Sequence, residues 1–436
     1  MRLRDKQILH LALPSILSNI TVPLLGLVDV AIVGHMGGAN YIGAIAVGGM
    51  AFNIIYWICG FLRMGTSGLT SQALGRKDLS EVMHTLLRSI VIGLGIALAL
   101  IVLQYPLREL IYRIISPDEE VYQLATTYYT ICIWGAPAML ALYSLTGWFI
   151  GMQNTRVPMV VAISQNIINI LASMTLVFGL GMKVEGVALG TVTAQYAGLC
   201  IGMGFWLRHY LRLRKFVVPQ MVWKREEMVR FFNVNKHIFL RTFCLVAVML
   251  YFTSAGARQG ELILAANTIL MELYLLVSYV MDGFAFAGEA LGGKFIGAQN
   301  RMAFDEMLRR LAFWSILVSA AFTAAYFLFG HGILALLTDE QEVIATAQTY
   351  LYGAAFVAIT GAAAFILDGV FIGATATSDM LLSVFLSTMA FFLLYFLLRD
   401  IMGNHGLWIA YNAYLAFRGI VLYLRLPSLK VRAFKA

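Results

Sequence analysis

Apolar residues occur in this chain in long blocks separated by short polar stretches. Twelve blocks cover approximately 8–33, 41–62, 85–105, 121–146, 158–180, 185–207, 237–257, 262–287, 308–330, 343–370, 380–399 and 404–425. Each is close to the ~20 residues that carry a helix across a ~30 Å hydrocarbon layer. A spanning helix satisfies its own backbone groups, so the pattern predicts an all-α polytopic membrane protein with twelve transmembrane helices. The least hydrophobic stretch is 208–236, which contains Pro219 and eight basic residues. It reads as a linker, with a helix expected over Trp223–Phe232.

The blocks repeat at an offset of 222 residues. Gly34 and Gly38 match Gly256 and Gly260, Gly75 matches Gly297, and Arg88 matches Arg310. Glu120-Val121 matches Glu342-Val343, Thr127-Tyr128 matches Thr349-Tyr350, and Phe149-Ile150-Gly151 matches Phe371-Ile372-Gly373. Several matches at one offset mark an internal duplication. The unit holds six spans, an even number, so both copies insert in the same orientation: a parallel repeat, related by an axis along the membrane normal. The expected domains are an N-terminal six-helix lobe at 1–207, the linker at 208–236 and a C-terminal six-helix lobe at 237–436. Two such bundles facing each other would leave a central cleft, and rocking one against the other would give alternating access.

Composition agrees with this reading and charge refines it. The chain has 436 residues, 60% hydrophobic and 12% charged, against roughly 25% charged in soluble domains. The net charge of +8 is arranged for topology rather than for nucleic acid. Of the 31 Lys and Arg, 23 fall in segments on one side of the twelve-span arrangement and five on the other. That bias places both termini in the cytoplasm. Cys59, Cys132, Cys200 and Cys244 all lie in apolar blocks without metal-type spacing and read as buried small hydrophobes, neither disulfides nor ligands. No histidine pair has ligand spacing, no Ser/His/Asp or Cys/His set shares a span, and no nucleotide-binding loop is present. An enzyme is disfavoured and no metal or cofactor is expected. The 21 Met, 28 Phe, 20 Tyr and 7 Trp suit either adaptable apolar pockets or lipid-facing surface.

Candidate chemistry rests on the few polar residues inside spans. Asp29 lies about 20 residues into the first block, in the far third of the helix at ~1.5 Å per residue. A charge there costs at least ~2.5 kcal/mol, which makes it the leading coupling and protonation candidate. In the fifth block Asn166, Asn169 and Ser173 stand at i, i+3 and i+7 on one helical face. In the sixth, Thr191 and Gln195 stand at i and i+4. These side chains suit hydrogen bonding to a carboxylate, or the plain interhelical bonding worth ~0.6 kcal/mol in membranes. At offset 222 Asp29 corresponds to Tyr251, Asn169 to Phe391 and Thr146 to Asp368, so the two halves differ in chemistry. The C-terminal half carries Arg241, Glu272, Asp282, Glu289, Asp368 and Arg418. Arg241, Asp282, Glu289, Asp368 and Arg418 are expected to form a charged network, with Asp368 as an alternative second site for a coupling ion.

The segments LALPSILSNITVPLLGLVDVAIVGHMG from Leu11, FLRMGTSGLTSQALG from Phe61, LDGVFIGAT from Leu367 and LAFRG from Leu415 resemble the multidrug and toxic compound extrusion (MATE) family, and within it the DNA-damage-inducible protein F (DinF) branch. The resemblance spans essentially the whole chain. It implies a secondary active antiporter in the bacterial inner membrane that exports amphipathic organic cations against proton or sodium entry. It also implies roles for Asp29 in coupling and release, for Asn169 and Thr191 as its polar partners, and for Asp368 as a carboxylate assigned to cation binding in another branch. One departure bears on the ion. The family often has Asn-x-x-x-Asp in the fifth helix, and here Ser173 follows Asn169. Loss of that anionic oxygen weakens a sodium site and favours protons. The alternative is a flippase for lipids or lipid-linked glycans of the same architecture, which Arg241 and Arg418 keep open. A monomer that contacts the bilayer and small organic cations, and no nucleic acid, completes the expectation.

Overall fold

The computed structural model describes residues 3–34, 39–115 and 119–434; for 22–31, 33, 34, 39, 114 and 115 it describes the backbone alone. The side chain of Asp29 is therefore outside the described residues. All regular structure among these residues is helical. The first copy contains α1 (Leu3–Gly34), α2 (Ala39–Cys59), α3 (Phe61–Gly75), α4 (Leu79–Val102), α5 (Gln104–Ile115), α6 (Glu119–Cys132), α7 (Ala136–Gly151), α8 (Arg156–Met174) and α9 (Val184–Tyr210). A short α10 (Pro219–Val222) lies in the linker. The second copy contains α11 (Arg225–Ala257), α12 (Glu261–Gly297), α13 (Arg301–Leu337), α14 (Gln341–Gly373), α15 (Thr377–Met402) and α16 (Asn404–Ala433). Among the described residues eleven helical segments are long and apolar enough to cross a membrane, and α1 adds a 32-residue helix to them. The linker helix expected over 223–232 is instead the start of α11, which runs without interruption into the seventh span.

The duplication is written into the backbone. Residues with positive φ pair at the same offset of 222: Lys77 with Gln299, Gln153 with Thr375, and Gly181 with Gly403. Each follows a helix and reverses the chain in the left-handed region, a common way to end a helix. The N-caps repeat too. Asp78 accepts from Glu81 N–H at 3.0 Å and Asn300 accepts from Ala303 N–H at 2.9 Å. Two crossings are equivalent atom for atom. A side chain on Gly147 would lie 2.2 Å from the Arg63 carbonyl, and one on Gly369 would lie 2.1 Å from the Ala285 carbonyl. These glycines let backbones approach where membrane helices gain most from close packing.

The copies differ in continuity. In the first, the chain breaks between α2 and α3 at Gly60 and between α4 and α5 at Leu103, ahead of Pro106. A 3-10 turn at Ile133–Gly135 precedes Pro137, and a π turn at Thr175–Gly179 ends α8. Proline lacks the N–H that would continue the ladder. The matching positions of α12, α13, α14 and α15 run straight through, with Asp282, Leu328 and Ile359 in place of Gly60, Pro106 and Pro137.

The chain divides into two compact units, one of residues 17–232 and one of 1–16 with 233–436. Residues 1–16, which the sequence reading gives to the N-terminal lobe, thus belong with the second unit. Asp5 accepts from Arg310 Nε at 2.7 Å and from Trp314 Nε1 at 3.1 Å, and Arg4 donates to Glu306 at 2.9 Å. Gly283 has no side chain, and one built there would meet Ile16 at 2.3 Å. The start of α11 is held in the first unit, where Arg230 donates to Gln72 at 3.0 Å.

Two of the four cysteines depart from the expected burial. Cys59 and Cys132 are buried, Cys244 is intermediate and Cys200 is exposed. A helix in a bilayer can present an apolar side chain outward, so hydrophobicity there does not imply burial in protein. All four are free thiols.

Candidate transport site

In the 17–232 unit the spacing on α8 and α9 becomes a polar seam. Asn169 is buried and donates from Nδ2 to Thr191 Oγ1 at 3.2 Å. Thr191 in turn donates to the Val187 carbonyl at 3.1 Å. Ser173 Oγ lies 3.5 Å from Asn169 Oδ1. Room for Ser173 comes from Gly190 on α9, where an added side chain would sit 2.2 Å from the serine hydroxyl. Asn166, one turn earlier on α8, faces elsewhere: its amide donates to the Thr21 carbonyl of α1 at 3.0 Å. That bond ties α8 to the helix that carries Asp29.

Gln195 does not join the seam. One turn along α9 from Thr191, its Oε1 occupies the place a side chain on Gly135 would take, 1.7 Å away. That oxygen has no hydrogen-bond partner among the described residues, although the Tyr56 hydroxyl of α2 is within interaction range. The buried Tyr56, Gln195 and the 3-10 turn at Gly135 are a second polar spot that the spacing alone did not reveal. The signal available in the sequence was Gly135 two residues before Pro137, inside an apolar block.

The other unit holds a buried charge cluster. Asp368 on α14 uses one oxygen, Oδ2, to accept from both Arg241 of α11 and Arg418 of α16, the latter at 2.5 Å. All three residues are at most 7% exposed. Asp368 Oδ1 and the Nε of each arginine have no hydrogen-bond partner among the described residues. The Arg418 guanidinium lies 5.6 Å from the centre of the Tyr414 ring. Two guanidiniums on one carboxylate leave a formal excess of one positive charge. The attraction is strong because the surroundings are apolar, and the desolvation it offsets is large for the same reason.

Of the expected network, Arg241, Asp368 and Arg418 are thus brought together. Asp282 and Glu289 lie on α12, which packs along α14. Glu289 is fully buried, and a side chain on Gly373 would lie 2.3 Å from its backbone carbonyl. Asp282 is half-buried, within electrostatic reach of Tyr274 and Tyr279. Among the described residues no group of three or more His, Cys, Asp or Glu side chains could hold a metal ion.

The MatE family model matches residues 14–175 and 238–397, one block in each copy of the repeat. The chain belongs to the MatE family. It is similar to DNA damage-inducible protein F of Escherichia coli, 38% identical over 420 residues that cover 96% of this chain and 91% of that protein. It is also similar to the multidrug export protein MepA of Staphylococcus aureus, 21% identical over 79% of this chain and 76% of that one. Its fold matches a solved MOP superfamily transporter from Pyrococcus furiosus described as having a binding pocket of reverse polarity. That match has a TM-score of 0.88 and 18% identity, over 99% of this chain and 97% of the other. MatE proteins are multidrug efflux transporters, not enzymes, and need no cofactor. This chain is accordingly a multi-pass membrane transporter with small-molecule substrates.

Proposed function

We propose that this MatE transporter is a secondary active antiporter that exports amphipathic organic cations in exchange for inward protons, by alternating access. In this reading it works as a monomer in the bacterial inner membrane with both termini in the cytoplasm. The observation that carries the reading is the Asn166–Thr21 hydrogen bond, which ties α1 to the helix bearing Asn169 and Ser173. As first and fifth spans, α1 and α8 cross the membrane in the same direction. Asp29 lies eight residues beyond Thr21, or ~12 Å along the helix, and Ser173 lies seven beyond Asn166, or ~10 Å. In this reading the Asp29 position lies at the depth of the polar seam. Ionised, Asp29 attracts a cation in a low-dielectric setting; protonated from outside, it releases it. The seam supplies amide and hydroxyl oxygens without a second acid, so protons rather than sodium are the coupling ion.

The test is cation-dye export by reconstituted vesicles with an imposed proton gradient and no sodium. The wild-type chain exports, and Asp29→Asn, which keeps the size and removes the titration, inserts normally and does not. Export by Asp29→Asn at the wild-type rate, or a requirement for sodium at constant proton gradient, overturns the mechanism. The flippase alternative draws on the excess charge of Arg241 and Arg418 over Asp368, which suits an anionic headgroup. Movement of fluorescent anionic lipid without cation export in the same vesicles would favour it.

A further inference from the structure

A groove on the second unit has no counterpart in the transport reading. It is a cavity of about 530 Å³ between α13, α14 and α16. Leu308, Ala312, Ala363, Ile366, Leu367 and Leu426 make its apolar floor and walls. Asp305, Arg309 and Lys430 stand at one end, near the start of α13 and the end of α16, and Tyr423 lines the groove earlier on α16. In the twelve-span reading that end lies at the membrane surface and the apolar end toward the middle of the bilayer. Lys430 Nζ lies 2.6 Å from Asp305, so this acid is balanced. Arg309 is exposed and makes no ion pair among the described residues. The mouth therefore carries one positive charge in excess.

The internal repeat shows what such a groove requires. The equivalent surface of the first copy includes Met83, Leu86 and Leu145, all buried, with Ile90 packed beside them where the second copy has Ala312. The linker lies over it. Leu213 and Val217 pack against that cluster, Val218 N–H donates to His84 Nε2 at 3.0 Å, and Arg88 donates to the Val222 carbonyl at 2.6 Å. In the second copy the groove is open, Ala312 and Tyr423 are exposed, and the neighbouring Phe313, Ile316, Ile420 and Leu424 are exposed apolar side chains of membrane-spanning helices. The surface that the first copy covers with its linker is open in the second copy among the described residues.

We propose that this groove binds an anionic glycerophospholipid, with its phosphate on Arg309 and Lys430 and an acyl chain along Leu308, Ala312, Ala363 and Leu367. Basic pockets between spanning helices at the membrane surface favour anionic headgroups, and the volume lies in the ~300–1,000 Å³ range of small-molecule sites. Each end contributes separately: charge selects the headgroup, and the small residues Ala312 and Ala363 make space for the chain.

Native mass spectrometry of the detergent-solubilised full-length protein tests this with dioleoyl phosphatidylglycerol and dioleoyl phosphatidylcholine as probes. The wild-type chain is expected to retain the glycerol lipid about tenfold more strongly, the scale of a basic pocket on an anionic headgroup. Arg309→Gln with Lys430→Gln should reduce that preference to near unity, Arg309→Lys should preserve it, and Ala312→Phe should weaken both lipids by filling the groove. Equal retention of the two lipids by the wild type overturns the proposal. So does an unchanged preference in the double variant with an unaltered thermal melt, or displacement of the lipid by an equal concentration of glycerol phosphate.

Discussion

Arg418 and Asp368 form a buried ion pair at 2.5 Å in which the same carboxylate oxygen also serves Arg241. The acid is thus shared between α11 and α16 and holds both against α14. Removing it leaves two like charges facing each other away from water. Asp368→Asn is expected to destabilise the protein by about 3–5 kcal/mol, the range for breaking a buried pair. Pairing it with Arg241→Gln should recover part of that loss. A double-mutant cycle from thermal melts in detergent measures the coupling. In vesicles, the folded fraction of Asp368→Asn should retain more gradient-driven export than Asp29→Asn does, since the triad here holds helices together.

The glycine crossings predict a loss with no polar component. Gly369 approaches the Ala285 carbonyl so closely that a methyl group would lie 2.1 Å from the oxygen, and a backbone atom cannot swing aside. Gly369→Ala should cost about 1–3 kcal/mol or more through overpacking. Gly147→Ala, the equivalent change in the first copy, should cost a similar amount against the Arg63 carbonyl. Gly49→Ala, which would meet nothing within 4 Å, is the control and should melt as the wild type does.

Ser173 offers a gain-of-function test. Ser173→Asp supplies an anionic oxygen beside Asn169 and Thr191, and export should become sodium-sensitive. The same change crowds the place where Gly190 makes room for the hydroxyl, so a drop of about 1–3 kcal/mol in stability should accompany it. Sodium titration of export, with the melting temperature recorded in parallel, separates the two effects. Unchanged export across the titration would show that the seam does not reach the coupling ion.

Topology can be checked at the linker. Gln220 is exposed on α10. In a Gln220→Cys variant of a background with Cys59, Cys132, Cys200 and Cys244 replaced, a membrane-impermeant thiol reagent should label the protein from the cytoplasmic face only. Labelling from outside would invert the assignment of both termini.

The chain's apolar blocks and its 222-residue repeat were enough to determine an all-helical membrane protein in two copies. A run of ~20 apolar residues placed in protein or in the bilayer core satisfies its backbone groups as a helix. Asn169 and Ser173 were legible as a pair because helical spacing puts them on one face of α8, whereas their meeting with Thr191 of α9 is a lateral contact that spacing does not give. The grouping of Arg241, Asp368 and Arg418 was partly legible: similar depth and opposite sign marked candidates, but depth does not say which helices are neighbours. Tertiary structure alone decided that Asp368 shares one oxygen between two arginines, that Gln195 leaves Thr191 for Gly135, and that residues 1–16 pack with the second unit. It also decided that the linker lies over the first copy's equivalent of the groove. Each of these depends on lateral contacts between helices distant in sequence, set by where glycines permit close approach, and a one-dimensional pattern of polar and apolar positions carries no information about lateral neighbours.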